Sequence, residues 1–148
     1  MSTAFRLALP VEIRDAMFAQ ARQELPNECC GWLAGKREAG MVRVFKRYPL
    51  KNTAASPTKF SANGPDLPAA DRDMREMGLE LLAIYHSHPT SDPIPSKTDL
   101  AESYYGPEIV NFIISLKGPE PVMRGWQLME SSFSEIEWDL TSDNAAYV

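Results

Sequence analysis

Apolar and polar positions along the 148-residue chain alternate with two different periods, and the switches between them predict the elements. Phe5 to Leu9 predicts a short strand. Pro10 then opens a helix to about Leu25, because proline suits a first turn and Val11, Ile13, Met17, Phe18 and Ala21 recur near helical spacing. Pro26-Asn27 ends it. Cys29 to Ala34 is a short apolar run closed by Gly35, and Met41 to Tyr48 alternates in character; together they predict a hairpin across Lys36 to Gly40. Pro49 to Pro57 is irregular, and Lys59 to Ala62 is a candidate short strand. Pro65 to Met77 predicts a second helix, stopped by Gly78. Glu80 to Ser87 is almost continuously apolar, as in a strand buried on both faces. A proline-rich loop leads to a third helix, Ser96 to Tyr105, ended by Gly106-Pro107. Ile109 to Leu116, Val122 to Leu128 and Phe133 to Leu140 are the closing strands. The pattern predicts one α/β (α+β) domain over residues 1–140, a single mixed sheet with about three helices. Thr141 to Val148 is polar and weakly patterned, and reads as a C-terminal tail whose neighbourhood frays.

Composition narrows the class. The chain is 44% hydrophobic and 24% charged, which suits one globular domain. No run of about 18 apolar residues is present, so no helix is expected in a membrane. The first fifteen residues lack a signal-peptide core, being broken by Arg6, Glu12 and Arg14, and a cytoplasmic location is expected. A net charge of −5 counts against a nucleic-acid partner. Cys29 and Cys30 are adjacent, a geometry poorly suited to pairing with each other, so both are expected to be small buried residues in a reducing compartment.

The chain has two histidines, His86 and His88, at the end of the Glu80–Ser87 strand. Residues i and i+2 of a strand point to one face, so both imidazoles can reach one metal ion. A two-histidine zinc site needs a third ligand, often a carboxylate, and Asp99 is the best candidate if the proline-rich loop folds back over the strand end. Zinc suits this set, and manganese or iron fit the ligand type as well. Ser96-Lys97-Thr98-Asp99 has a second, local reading: serine followed three residues later by a carboxylate is a capping box.

These residues resemble a family signature. His86-Ser87-His88-Pro89, six residues, then Ser96-Lys97-Thr98-Asp99 is the pattern of the JAMM (MPN-plus, Mov34/PAD-1-like) metalloproteases. The family's upstream glutamate context is matched by Pro26-Asn27-Glu28-Cys29-Cys30-Gly31-Trp32-Leu33-Ala34-Gly35. The resemblance runs from the first strand to about Leu128. It implies a curved sheet of the cytidine-deaminase-like type and one Zn2+ per chain on His86, His88 and Asp99. It also implies Glu28 as general base and Ser96 as donor to the oxyanion. No large insertion separates the two motifs, so the chain looks like the compact, stand-alone prokaryotic members. The resemblance implies action on ubiquitin-like sulfur-carrier proteins after the C-terminal Gly-Gly: some such members release cysteine or another amino acid, and others remove a C-terminal extension. Two alternatives stand beside this: an isopeptidase that deconjugates a ubiquitin-like modifier, and a non-catalytic MPN scaffold. By the same resemblance Asn52, Ser56 and Phe60 flank the groove for the carrier's tail, against a reading of 52–57 as a solvated turn. Trp32 and Tyr85 are expected to be core aromatics. Oligomeric state is open between monomer and homodimer.

Overall fold

The computed structural model describes residues 6–103 and 105–142. Phe5, Tyr104 and residues 143–148 of the expected tail lie outside them. In chain order the elements are β1 (Arg6–Pro10), α1 (Val11–Gln23), β2 (Cys30–Glu38), β3 (Met41–Leu50), α2 (Asp66–Glu76), β4 (Glu80–His88), α3 (Lys97–Glu102), β5 (Val110–Ser115), β6 (Val122–Leu128), β7 (Phe133–Ile136) and β8 (Trp138–Thr141). One sheet holds all eight strands, in the order β7-β6-β5-β4-β2-β3-β1-β8. The β2–β3 hairpin turns through Ala39 and Gly40, both at positive φ, at the expected Lys36–Gly40 stretch.

Two sequence expectations differ from this structure. Lys59 to Ala62 is not a strand. Its backbone is taken by a side chain instead: the Asn52 amide donates to the Lys59 carbonyl and accepts from the Ser61 N–H. The expected single strand from Phe133 to Leu140 is two strands on opposite edges of the sheet. β7 runs antiparallel to β6, while β8 runs parallel to β1. Only Glu137 lies between them, so the two edges are within about 7 Å of each other along the chain. The sheet must therefore curl. Phe112 of β5 and Trp138 of β8 meet edge-to-face with ring centroids 5.3 Å apart. Five strand spacings of a flat sheet would separate them by about 24 Å. The segment expected to fray thus includes an edge strand held by β1. The helices are shorter than the sequence pattern suggests, most of all the third, which stops at Glu102.

The two sheet faces carry separate cores. Met17 and Ala21 of α1 pack with Leu7, Leu33, Val44, Tyr85, Phe112 and Ile114 on one face. On the other, α2 places Ala70 and Met74 against Cys30, Ala34, Tyr48 and Leu50, while Leu100 of α3 packs on Ile113, Trp126 and Leu128. Tyr85 is fully buried, and Trp32 packs at the edge of the α2 core. Both cysteines are free and buried, as expected. Gly31 has a steric reason: a Cβ there would lie 2.3 Å from the Tyr85 ring. That ring must pass under Gly31 for its hydroxyl to donate to the Gln20 side chain at 2.5 Å, a bond that ties α1 to the sheet beside Glu28.

β4 and β5 pair in parallel, so the chain must return to the other end of the sheet between them. α3 lies on that return path, directly after the loop that leaves the C-terminal end of β4. This topology brings Asp99 back over the two histidines.

Candidate metal centre

His86 and His88 occupy alternate positions of β4 and share the face covered by α2 and α3. His86 pairs across the sheet with Cys30 on one side and Ile113 on the other, so it sits mid-sheet and is fully buried. Asp99, the third residue of α3, closes the group. Its Oδ1 lies 3.2 Å from His86 Nε2 and its Oδ2 3.1 Å from His88 Nε2. The two Nε2 atoms are 3.2 Å apart. All three side chains are buried, and their ligand atoms lie within 4.8 Å of one another, so they could hold a metal ion.

The donor set fits zinc. Tetrahedral zinc with bonds of about 2.0–2.2 Å separates its ligand atoms by about 3.3–3.6 Å, only slightly more than the spacings here. The tautomer of His88 fits as well. Its Nδ1 lies 2.7 Å from the Asp92 carbonyl, which can only accept, so the proton of neutral His88 is on Nδ1 and a bare lone pair remains at Nε2. Asp99 is also the partner of Ser96 in a capping box: Asp99 N–H donates to Ser96 Oγ at 3.0 Å, and Ser96 N–H donates to Asp99 Oδ2 at 2.9 Å. The two sequence readings of this tetrapeptide are therefore compatible. The cap uses Ser96 Oγ as an acceptor, so its own proton stays available to a ligand, and Ser96 is exposed.

Electrostatics follow from burial and from the close carboxylate. Burial opposes ionisation of Asp99, but hydrogen bonding from His86, His88 and the Ser96 N–H holds its carboxyl well below the usual carboxylate range. Burial lowers the pKa of His86. Burial acts the same way on His88, but Asp99 and the Asp92 carbonyl outweigh it and raise its pKa.

Glu28 lies two residues before β2 and is 3% exposed. Its Oε1 is buried without a hydrogen-bond partner among the described residues. Burial pushes its pKa up to about 8; Asp99 adds to the shift and His88 opposes it. An unpartnered carboxyl in this position is ready to exchange a proton with a ligand. Its backbone is pinned at both ends: Glu28 N–H donates to the Ser56 carbonyl at 2.9 Å, and Asn52 Nδ2 donates to the Glu28 carbonyl at 3.0 Å. Ser87, between the two histidines, accepts from the Cys29 N–H through its hydroxyl at 2.8 Å.

The three residues of the 52–61 strap take different places. The Asn52 side chain is 6% exposed; it donates to the Glu28 and Lys59 carbonyls and accepts from the Ala54 and Ser61 N–H groups. Those four bonds use its whole capacity, leaving no free donor or acceptor for a substrate. Ser56 uses its carbonyl on Glu28, and its hydroxyl accepts from the Thr58 N–H. Phe60 stacks on the His86 ring at 4.6 Å between centroids. The irregular composition of 52–57 marked it as a loop; it held no signal that its amide and carbonyls would support Glu28.

A curled mixed sheet with two histidines at one strand end and an aspartate returning from the next helix defines a domain with a buried three-residue group that could hold a metal ion. The family described as prokaryotic homologs of the JAB domain matches residues 10–129, and the chain belongs to it. It is 34% identical over 102 residues to a desampylase of Haloferax volcanii, covering 66% of this chain and 72% of that one. It is 28% identical over 134 residues to the CysO-cysteine peptidase of Mycobacterium tuberculosis, covering 90% of each. The solution structure of a Desulfitobacterium hafniense protein, 35% identical, superposes with a TM-score of 0.83 over 93% of this chain and 94% of that one.

Proposed function

We propose that this protein is a zinc-dependent peptidase that hydrolyses the bond after the C-terminal Gly-Gly of a ubiquitin-like sulfur-carrier protein, releasing cysteine or a C-terminal extension. The observation that carries the reading is the buried convergence of His86, His88 and Asp99 within electrostatic reach of Glu28, whose Oε1 is buried with no partner among the described residues. The substrate class follows the peptidase named for CysO-cysteine, which aligns with nine-tenths of the chain.

His86 Nε2, His88 Nε2 and an oxygen of Asp99 would hold the ion. Zinc bound there supplies Lewis acidity, polarising the scissile carbonyl and acidifying water at neutral pH. Glu28 takes the proton of the attacking water and delivers it to the leaving amine; its low exposure keeps bulk water from supplying that proton instead. The Ser96 hydroxyl donates to the oxyanion, and the fixed start of α3 aims it. Asn52 and Ser56 hold the backbone of Glu28, so that its carboxyl has one place to be. Phe60 covers one face of His86 and keeps that ring from turning.

Incubation with a sulfur-carrier protein extended beyond its Gly-Gly tests this, read by intact mass with and without chelator. Loss of the extension only without chelator is expected. An uncut carrier in the presence of zinc-loaded protein defeats the substrate assignment. The desampylase relative supports a second reading, deconjugation of a ubiquitin-like modifier from lysine, and an isopeptide-linked conjugate in the same assay separates the two.

A further inference from the structure

The loop that leaves His88 is held in an unusual way. Three consecutive carbonyls, those of Ser91, Asp92 and Pro93, each accept a side-chain hydrogen bond. Ser115 Oγ donates to Ser91 O at 2.6 Å, His88 Nδ1 to Asp92 O at 2.7 Å, and Trp126 Nε1 to Pro93 O at 2.8 Å. The outer two donors come from the end of β5 and the middle of β6, and both are nearly buried. The loop itself has little else to hold it. Pro89, Pro93 and Pro95 have no N–H to give, Ser91 and Asp92 are exposed, and within the loop only the Ile94 N–H returns to Asp92 O. The Lys117–Asp92 ion pair is solvent-exposed on both sides and adds little.

We propose that Ser115 and Trp126 are positioning residues for the metal ligand His88. They grip the carbonyls on either side of Asp92, and so keep the Asp92 carbonyl where it fixes the tautomer and ring angle of His88. The inference rests on the reading of His86, His88 and Asp99 as a metal centre. The direction of the Ser115 bond is set by its surroundings: its oxygen already accepts from the Lys117 N–H, which turns the hydroxyl proton toward Ser91 O. Without the two grips, only the Ile94 N–H within the loop still holds the part-buried Asp92 carbonyl, water can compete for it, and His88 is freer to move its proton off Nδ1. Among the described residues His86 has no equivalent support, since its Nδ1 is buried without a hydrogen-bond partner there. Tautomer control of the site therefore runs through His88 and the loop beyond it.

The test uses full-length Ser115→Ala, Ser115→Thr and Trp126→Phe. Zinc affinity is measured by chelator competition, and the tautomer of His88 by imidazole 15N spectra of metal-free protein at a pH where the ring is neutral. Ser115→Ala and Trp126→Phe should each weaken zinc binding by about 10- to 100-fold and bring Nε2–H signal into His88. Ser115→Thr, which keeps the hydroxyl, should restore both readouts. Unchanged affinity and an unchanged Nδ1–H tautomer in both removal variants overturn the proposal, as does loss in Ser115→Thr equal to that in Ser115→Ala. Should the removal variants not fold, the native protein decides: a His88 with its proton on Nε2 overturns the proposal, and one on Nδ1 supports it. A native chain that binds no zinc defeats the metal reading, whereas the metal-free spectra still report the grip.

Discussion

Nε2 of His86 faces Nε2 of His88 across 3.2 Å, and the Asp99 carboxylate touches both. Because neutral His88 spends its proton on the Asp92 carbonyl, its Nε2 and Asp99 Oδ2 are both acceptors, 3.1 Å apart. A proton or a cation must lie between them. In the metal-free protein a proton takes that place below the titration of His88, whose pKa the Asp99 carboxylate and the Asp92 carbonyl raise. Zinc binding should therefore release protons, and apparent affinity should fall as pH drops through the titration of His88. About one zinc per chain is expected by elemental analysis of protein purified without chelator. Asp99→Asn should lower that content sharply; full zinc occupancy in this variant would rule Asp99 out as a ligand.

Glu28→Gln is expected to keep zinc and lose hydrolysis, since the amide fills the same space but cannot accept a proton. Activity within a few-fold of the native protein on an extended carrier would refute the base assignment.

The same residue predicts a pH dependence of stability in metal-free protein. The folded pKa of Glu28, about 8, lies above its ordinary value of 4.5. The folded state then binds the proton more tightly, and stability falls as pH rises from about 4.5 to about 8. The effect amounts to a few kcal/mol at most, since each tenfold change in proton affinity is worth about 1.4 kcal/mol. Thermal melts across this range should show Glu28→Gln losing less stability than the native chain. Parallel curves for the two would place the carboxyl in water rather than in the core.

Ser96 has two separable tasks. Ser96→Gly keeps much of the cap, costing a few tenths of a kcal/mol, while Ser96→Ala costs about 1 kcal/mol. Both remove the hydroxyl, so both should lower kcat by about 100- to 1,000-fold if it serves the oxyanion. A kcat that tracks melting temperature across the two variants would instead assign Ser96 to capping alone.

Asn52→Asp tests the strap. The carboxylate still accepts from the Ala54 and Ser61 N–H groups but cannot donate to the Glu28 and Lys59 carbonyls. The buried Glu28 carbonyl loses its donor, at about 1–3 kcal/mol, and the part-buried Lys59 carbonyl loses one too. Both melting temperature and kcat should fall, with zinc content retained. Native kcat in a folded Asn52→Asp would show that Glu28 needs no support from this side.

Much of this protein was legible in local pattern, because local pattern records local physics. Period-two alternation placed β3 and the same-face direction of His86 and His88. The apolar stripe from Val11 to Ala21 placed α1. The Ser96–Asp99 spacing contained the cap, which is a contact between residues on one turn. Contacts between distant segments leave no such trace. Nothing in Phe133 to Leu140 announces that Glu137 divides it between opposite edges, since that depends on a sheet curled until Trp138 reaches Phe112. Nothing in Asn52 announces that its amide serves Glu28, or in Ser115 and Trp126 that they hold the loop beside His88. The sequence by itself determined which side chains are the candidates for the chemistry and which way they point along their own element. Only the tertiary structure decided which backbone groups those side chains lean on, because a buried carbonyl takes whatever donor the folded chain brings within reach.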